Sequence, residues 1–267
     1  MWPWVTGTPL PKLERPPVVE VICGMHFPAL DLDPVVVGAY WDQRRGDYPR
    51  RQLHPALEKG LARTGIVINA APRMRVWLLS ADESLVLQIQ SDRFYLNWRQ
   101  TKPNAPYPRF SGPTGLCARA MQELASFSEF CESAIGRKPD VDRVELGKVD
   151  HMLEGEAWNG LPDLSMLLPS LAPALSFSHG REPSATLRFQ DIVERMSLSF
   201  VIDTTLTMAP GRDPQRGVRI DANVTMPLDG VSISSRFDEA NLIANSVFAM
   251  LIPETERTRR FGAVHGG

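Results

Sequence analysis

The sequence predicts an α+β protein built from two pseudo-duplicated antiparallel sheet units. Each unit reads as a strand, an insert, a three-stranded meander and a long helix, with the helices covering one face of the sheet. Three observations carry this. Residues 75–99 alternate apolar and polar side chains with a period of two, broken by two polar turns. Residues 114–136 switch to the spacing of an amphipathic helix. The second half then runs through the same order of patterns, although the halves share no clear residue identity.

The meander is the clearest element. Leu85, Leu87 and Ile89 fall on one face, and Gln88 and Gln90 on the other. After the turn pair Ser91-Asp92, Phe94, Leu96 and Trp98 continue the apolar side. Arg93, Tyr95, Asn97 and Arg99 continue the polar one. Val76 to Leu79 leads into this pair through Ser80-Ala81-Asp82-Glu83-Ser84, a polar loop of hairpin length. Such a meander needs a cover for its apolar face, and the helix of Leu116, Ala120, Leu124, Phe127 and Cys131 is the natural one. Thr114 reads as its N-cap and Gly136 as its stop.

The other elements follow in order. Residues 1–17 form a proline-rich extended arm, with Trp2 and Trp4 free to pack. Val18 to Phe27 alternates as a strand. Asp33-Pro34 starts a helix through Arg45. His54 to Arg63 reads as a short helix, and 65–70 as a brief strand or loop. Residues 100–113 form a loop, and Val141 to Met152 returns as a strand. The first unit spans 18–152; residues 153–183 form a linker or cover, with a short helix over Leu164 to Leu175. The second unit, 184–254, offers strands at Ser184–Gln190, Met196–Met208 and Gly217–Met226, joined by a strong turn at Ala209–Pro214. A helix over Asp238–Ile252 ends it at Pro253. Residues 255–267 read as a flexible tail.

A chain of 267 residues with 43% apolar and 22% charged residues is an ordinary soluble globular protein, long enough for a large core. Its net charge of −2 argues against a dedicated nucleic-acid binder. No apolar run reaches the roughly eighteen residues that a membrane span needs. The opening lacks the basic-then-apolar order of a signal peptide. Cys23, Cys117 and Cys131 read as buried free thiols, so a cytoplasmic location is expected.

The motif search returns little chemistry. The zinc spacings are absent, and Cys23-x-x-His26 on a strand points its two side chains oppositely, so no metal site is expected. There is no P-loop, no dinucleotide-binding glycine pattern and no G-x-S-x-G elbow, so neither a cofactor nor a catalytic set is expected. His151 beside Asp150 is a lone pair with nothing to support it. Two arginine groups stand out. Gln88, Gln90, Arg93, Tyr95, Asn97 and Arg99, followed by Tyr107 and Arg109, compose a candidate binding face for an anion, a peptide or a nucleotide. The plainer reading is a solvated sheet face, or polar groups bonded to a neighbouring loop. Arg44, Arg45, Arg50 and Arg51 at a helix C-terminus are either a charged surface or a phosphate-contacting patch.

Pro16, Pro17, Glu20 and Val21, then Gln90, Arg93, Phe94, Asn97, Trp98 and Arg99, then Tyr107, Pro108 and Arg109 also carry a resemblance. These positions are similar to the Pro-Pro-x-x-Glu-Val, Q-x-x-x-R-F-x-x-N-W-R and Tyr-Pro-Arg segments of a sporadically distributed prokaryotic family with no assigned catalytic residues. The likeness covers about the first 110 residues and is loose at VELGKVDHM (144–152). It implies a bacterial accessory protein of mobile or defence-associated gene neighbourhoods. The leading expectation is thus a non-catalytic binding protein that recognises a protein segment through a polar sheet face or edge. The alternatives are a nucleic-acid-binding or metal-independent RNA-processing protein, and a homo-oligomer joined through sheet edges; no membrane partner is expected.

Overall fold

A computed structural model describes residues 5, 10–57, 74–102, 105–176, 185–204, 206–207 and 215–264. Its strands are β1 (Lys12–Leu13), β2 (Val18–His26), β3 (Arg50–Pro55), β4 (Met74–Leu79), β5 (Leu85–Gln90) and β6 (Arg93–Arg99), then β7 (Arg143–Leu153), β8 (Thr186–Val193), β9 (Met196–Asp203), β10 (Leu206–Thr207), β11 (Gln215–Pro227) and β12 (Ala263–Val264). The helices are α1 (Pro34–Arg44), α2 (Leu116–Ile135), α3 (Gly160–Leu167), α4 (Ala172–Leu175), α5 (Ile233–Leu251) and α6 (Glu254–Phe261).

Nine strands lie in one antiparallel sheet in the order β3-β4-β5-β6-β2-β7-β11-β9-β8. β10 continues the row of β9 against β11 in the same register. The order exposes the duplication. Read outward from the β2–β7 pair, each half runs first strand, third meander strand, second, first, and α2 and α5 follow the last meander strand of each. The two units therefore join edge to edge into one sheet through β2 and β7, and β7 is the counterpart of β2 that opens the second unit, so the boundary expected after 152 falls before Arg143.

Two residue pairs repeat across that join. Ile22 sits opposite Asn97, and Asn97 reaches diagonally to Glu20, its Nδ2 donating to Oε1 at 3.1 Å. Gly147 sits opposite Asn223, and Asn223 reaches diagonally to Glu145 at 2.7 Å. Glu20 and Glu145 thus hold equivalent places, as do Asn97 and Asn223.

The helices follow the spacing of their apolar residues. Leu116, Ala120, Leu124, Phe127 and Cys131 are all buried on α2, where Phe127 stacks on Phe94 with centroids 5.0 Å apart. Gly136 ends α2 in the left-handed region at φ 69°, where a residue without Cβ is least strained. Its N-cap is Gly115 rather than Thr114. Asp33 caps α1, accepting from the amides of Val35 and Val36 at 2.8 Å. α5 begins five residues before Asp238 because Ser232 caps it, accepting from the amide of Ser235.

Two expectations, the helix from His54 and the flexible tail, are corrected. The helix expected from His54 is strand at its start: Arg50 to Pro55 pairs with β4, the sheet edge outweighing local helix signals. Ala56 and Leu57 follow without helix, and residues 58–63 and 65–70 lie outside the described residues, as do Trp2, Trp4, His179 and the turn at 209–214. Of the linker or cover expected over 153–183, the described residues form the cover: Trp158, Leu164, Leu167, Leu168, Leu171 and Leu175 join the single core. The expected flexible tail is ordered through Val264. Phe261 is buried, and β12 pairs with β1 of the N-terminal arm. Among the described residues, no helix is long and apolar enough to cross a membrane.

Candidate functional site

The polar side of the meander is an interior layer. Gln88, Gln90, Arg93, Tyr95 and Asn97 are all buried, which overturns the expectation of an outward recognition face. Each is engaged from within. Gln88 accepts from Arg75 at 2.9 Å. Gln90 clasps the backbone of Leu57 in both directions, at 2.8 and 3.1 Å, and also donates to Asp92. Arg93 lies 3.4 Å from the Asp92 carboxylate. Arg99, half-buried, grips Glu83 at the β4–β5 turn, where Arg50 also pairs.

Glu145 is the hub of this layer. His26 lies 2.8 Å from its Oε2, Tyr95 donates to the same oxygen at 3.0 Å, and Asn223 donates to Oε1. Burial pushes the Glu145 carboxyl up, but hydrogen bonds from His26, Asn223 and Tyr95 more than reverse that and hold it below the usual carboxylate range. Gly24 makes the arrangement fit, because a Cβ there would lie 2.4 Å from the Tyr95 ring. The bonds converging on Glu145 read as structure, in which buried polar groups specify one packing, although Arg93 Nε and Asn97 Oδ1 of the same layer lack hydrogen-bond partners among the described residues.

The second arginine group is also engaged. Arg44 bonds Ser126 and the buried Glu123, at 2.9 and 2.8 Å, and pairs with Asp47. Arg45 and Arg51 each lie 4.2 Å from the centroid of the Trp41 ring, and Arg45 also pairs with Asp42. Arg44 thus ties α1 to α2 and Arg51 stacks β3 on α1, while Arg45 and Arg50 stay exposed.

Tyr107 and Arg109 lie on the helix-covered side, away from the other six residues grouped with them. They border a cavity of about 620 Å³. Its walls are the strap Leu10–Val18, the loop 106–111, the α5 residues Asn241, Asn245 and Phe248, and Arg257 of α6. The strap is held by main-chain bonds from Glu14 and Arg15 to Gly262 and Phe261. On its other side lies a cavity of about 580 Å³ containing His151. Asp150 and His151 therefore face different spaces, as neighbours on a strand must.

Lys148 and Asp150 of β7 reach the first cavity although they stand on the apolar phase of their strand, with Val144, Leu146 and Met152. They are only 6% and 5% exposed. The Lys148 ammonium donates to Asn245 Oδ1 at 2.6 Å and lies 5.7 Å from the Phe110 ring. Burial drives its pKa down to about 8, against the pull of Asp150 and Cys23. Burial drives Asp150 up to about 7, opposed by Lys148. The Tyr107 hydroxyl and the Arg257 Nε are buried without hydrogen-bond partners. The sequence carried a signal for this site, since two charges interrupt an otherwise apolar phase in β7.

Among the described residues no cluster of His, Cys, Asp and Glu suits a metal ion, and all three cysteines are buried and free. No protein-family model matches the chain, and no curated protein matches it.

The two ends of the sheet differ. β3 is an edge bearing Arg50 and Arg51 and closing on Pro55, features that discourage further pairing. β8 is the other edge, and among the described residues its one ladder partner is β9. Leu187, Phe189 and Ile192 along it are 38%, 39% and 63% exposed.

Proposed function

We propose that this protein is a non-catalytic binding module that takes up an extended protein segment along β8. One observation carries the reading: an eight-residue edge strand, most of it exposed, with three large apolar side chains and neither the proline nor the paired arginines that blunt the opposite edge. An unpaired row of backbone donors and acceptors templates a further strand, and apolar side chains beside it supply affinity. The resemblance carried by Pro16, Pro17, Arg93, Trp98 and Tyr107 adds a bacterial accessory role near mobile or defence-associated genes.

The test is Ile192→Lys, at a position 63% exposed and opposite Ser197, whose replacement leaves the core alone. Tagged wild-type protein should retain a partner on purification from its host, and the variant should lose it at an unchanged unfolding midpoint. Equal retention by both sinks the reading. A wild-type dimer in light scattering that the variant abolishes would make the segment a second copy of this chain.

A further inference from the structure

The cavity under the strap has a chemistry that the edge-binding reading leaves unused. Six charged side chains border it, Lys12, Arg109, Lys148 and Arg257 against Glu14 and Asp150, in a chain whose overall charge is −2. The surplus is therefore cationic where the molecule as a whole is anionic. Lys148 is nearly sealed from solvent and, among the described residues, has a single neutral hydrogen-bond acceptor, the Asn245 amide oxygen, for its three donors. The Tyr107 hydroxyl and the Arg257 Nε–H, which have no hydrogen-bond partner among the described residues, are donors as well. Leu10, Leu13, Val18, Phe110 and Phe248 give the rest of the wall an apolar character. The volume lies within the range of small-molecule sites, which pair a largely apolar wall with a few converging polar groups.

We propose that this cavity binds a small organic anion, a carboxylate or phosphate on an apolar body, with Lys148 as the charge anchor. The anionic oxygens accept from the Lys148 ammonium, the Tyr107 hydroxyl and the Arg257 guanidinium. The apolar body lies against Phe110, Phe248 and the strap. Asn245 is a positioning residue that aims the ammonium, and Asp150 keeps the ammonium charged when the site is empty.

Calorimetric titration of the full chain with octanoate, octyl phosphate and 1-octanol tests this. At least one anion should bind at one site per chain, and octanol at least about tenfold more weakly, the scale of one charge-assisted hydrogen bond. Whichever of octanoate and octyl phosphate binds more tightly identifies the head group. Lys148→Met should weaken the anion about tenfold and leave octanol unchanged. Arg257→Met, at a half-buried position, should weaken it several-fold and serves if the first variant fails to fold. Octanol binding as tightly as both anions overturns the proposal. So does wild-type anion affinity in Arg257→Met or in folded Lys148→Met, or binding of neither anion.

Discussion

Replacing the buried pair by apolar residues of similar size, Lys148→Met with Asp150→Leu, should change how stability responds to pH. Burial raises the Asp150 carboxyl to about 7, with Lys148 opposing and Asp221 adding to the rise. Burial lowers Lys148 to about 8, with Asp150 and Cys23 opposing. In the unfolded chain the carboxyl titrates near about 4. Its folded pKa is the higher, so its contribution to stability is complete below about 4 and is lost as pH rises through 7. Lys148 acts from the other side: its contribution is complete above about 10.5 and is lost as pH falls through 8. The pair therefore weighs most on the fold between pH 7 and 8. From pH 5 to 7.5 the carboxyl titrates differently in the two states over about two pH units, at about 1.4 kcal/mol each, or about 3 kcal/mol. Urea unfolding of wild type and double variant at both pH values measures this, since the other groups cancel in the difference. The stability gap should move by about 3 kcal/mol in favour of the variant at pH 7.5. A flat gap, or one moving toward the wild type, refutes the reasoning.

Two further outcomes follow from named contacts. Gly24→Ala places a methyl group into the Tyr95 ring and forces the hydroxyl off Glu145; urea unfolding should show a loss of about 2 kcal/mol, typical of overpacking next to a buried network. Arg260→Met removes the guanidinium that bonds Asp163, Glu256 and the Ala157 carbonyl, contacts that hold the Asp163 carboxyl well below its usual range. It should cost about 2 kcal/mol, and hydrogen exchange should quicken over residues 254–264, whereas unchanged protection there would show that Phe261 alone docks the helix.

The local pattern marks elements wherever one signal dominates. The alternation in β5 and β6, the Asp33 cap and the Gly136 stop each act within a few residues, and the structure places them accordingly. Alternation also says which residues share a face, but not what covers that face. Gln88, Gln90, Arg93, Tyr95 and Asn97 do lie together, yet their partners are Arg75, Leu57 and Glu145, supplied by other strands and by the segment after β3. The tail shows the same limit. Its charged run Glu254-Thr-Glu-Arg-Thr-Arg-Arg reads as solvated, and it is long-range contacts, from Arg259 and Arg260 to Asp163 and from the buried Phe261, that dock it as an ordered helix. The outward side of β8 was legible only as a strand, because position at an edge is a property of the whole sheet.

The duplication separates what the scaffold requires from what has been added to it. Counting from the equivalent pair Glu20 and Glu145, the β2 residues matching Lys148 and Asp150 are Cys23 and Met25. Both face the helices, both are almost completely buried, and neither carries charge. The same place in the same topology is therefore filled stably by a thiol and a thioether, so the fold has no need of an ammonium and a carboxylate there. Buried charge costs stability unless it is fully compensated, and a departure from local rules marks a functional position more often than a structural one. The asymmetry is also spatial. On β7 these positions open onto the cavity beneath the strap, whereas Cys23 and Met25 lie sealed in the core and border neither cavity. Charge entered only the half in which a ligand has room to meet it.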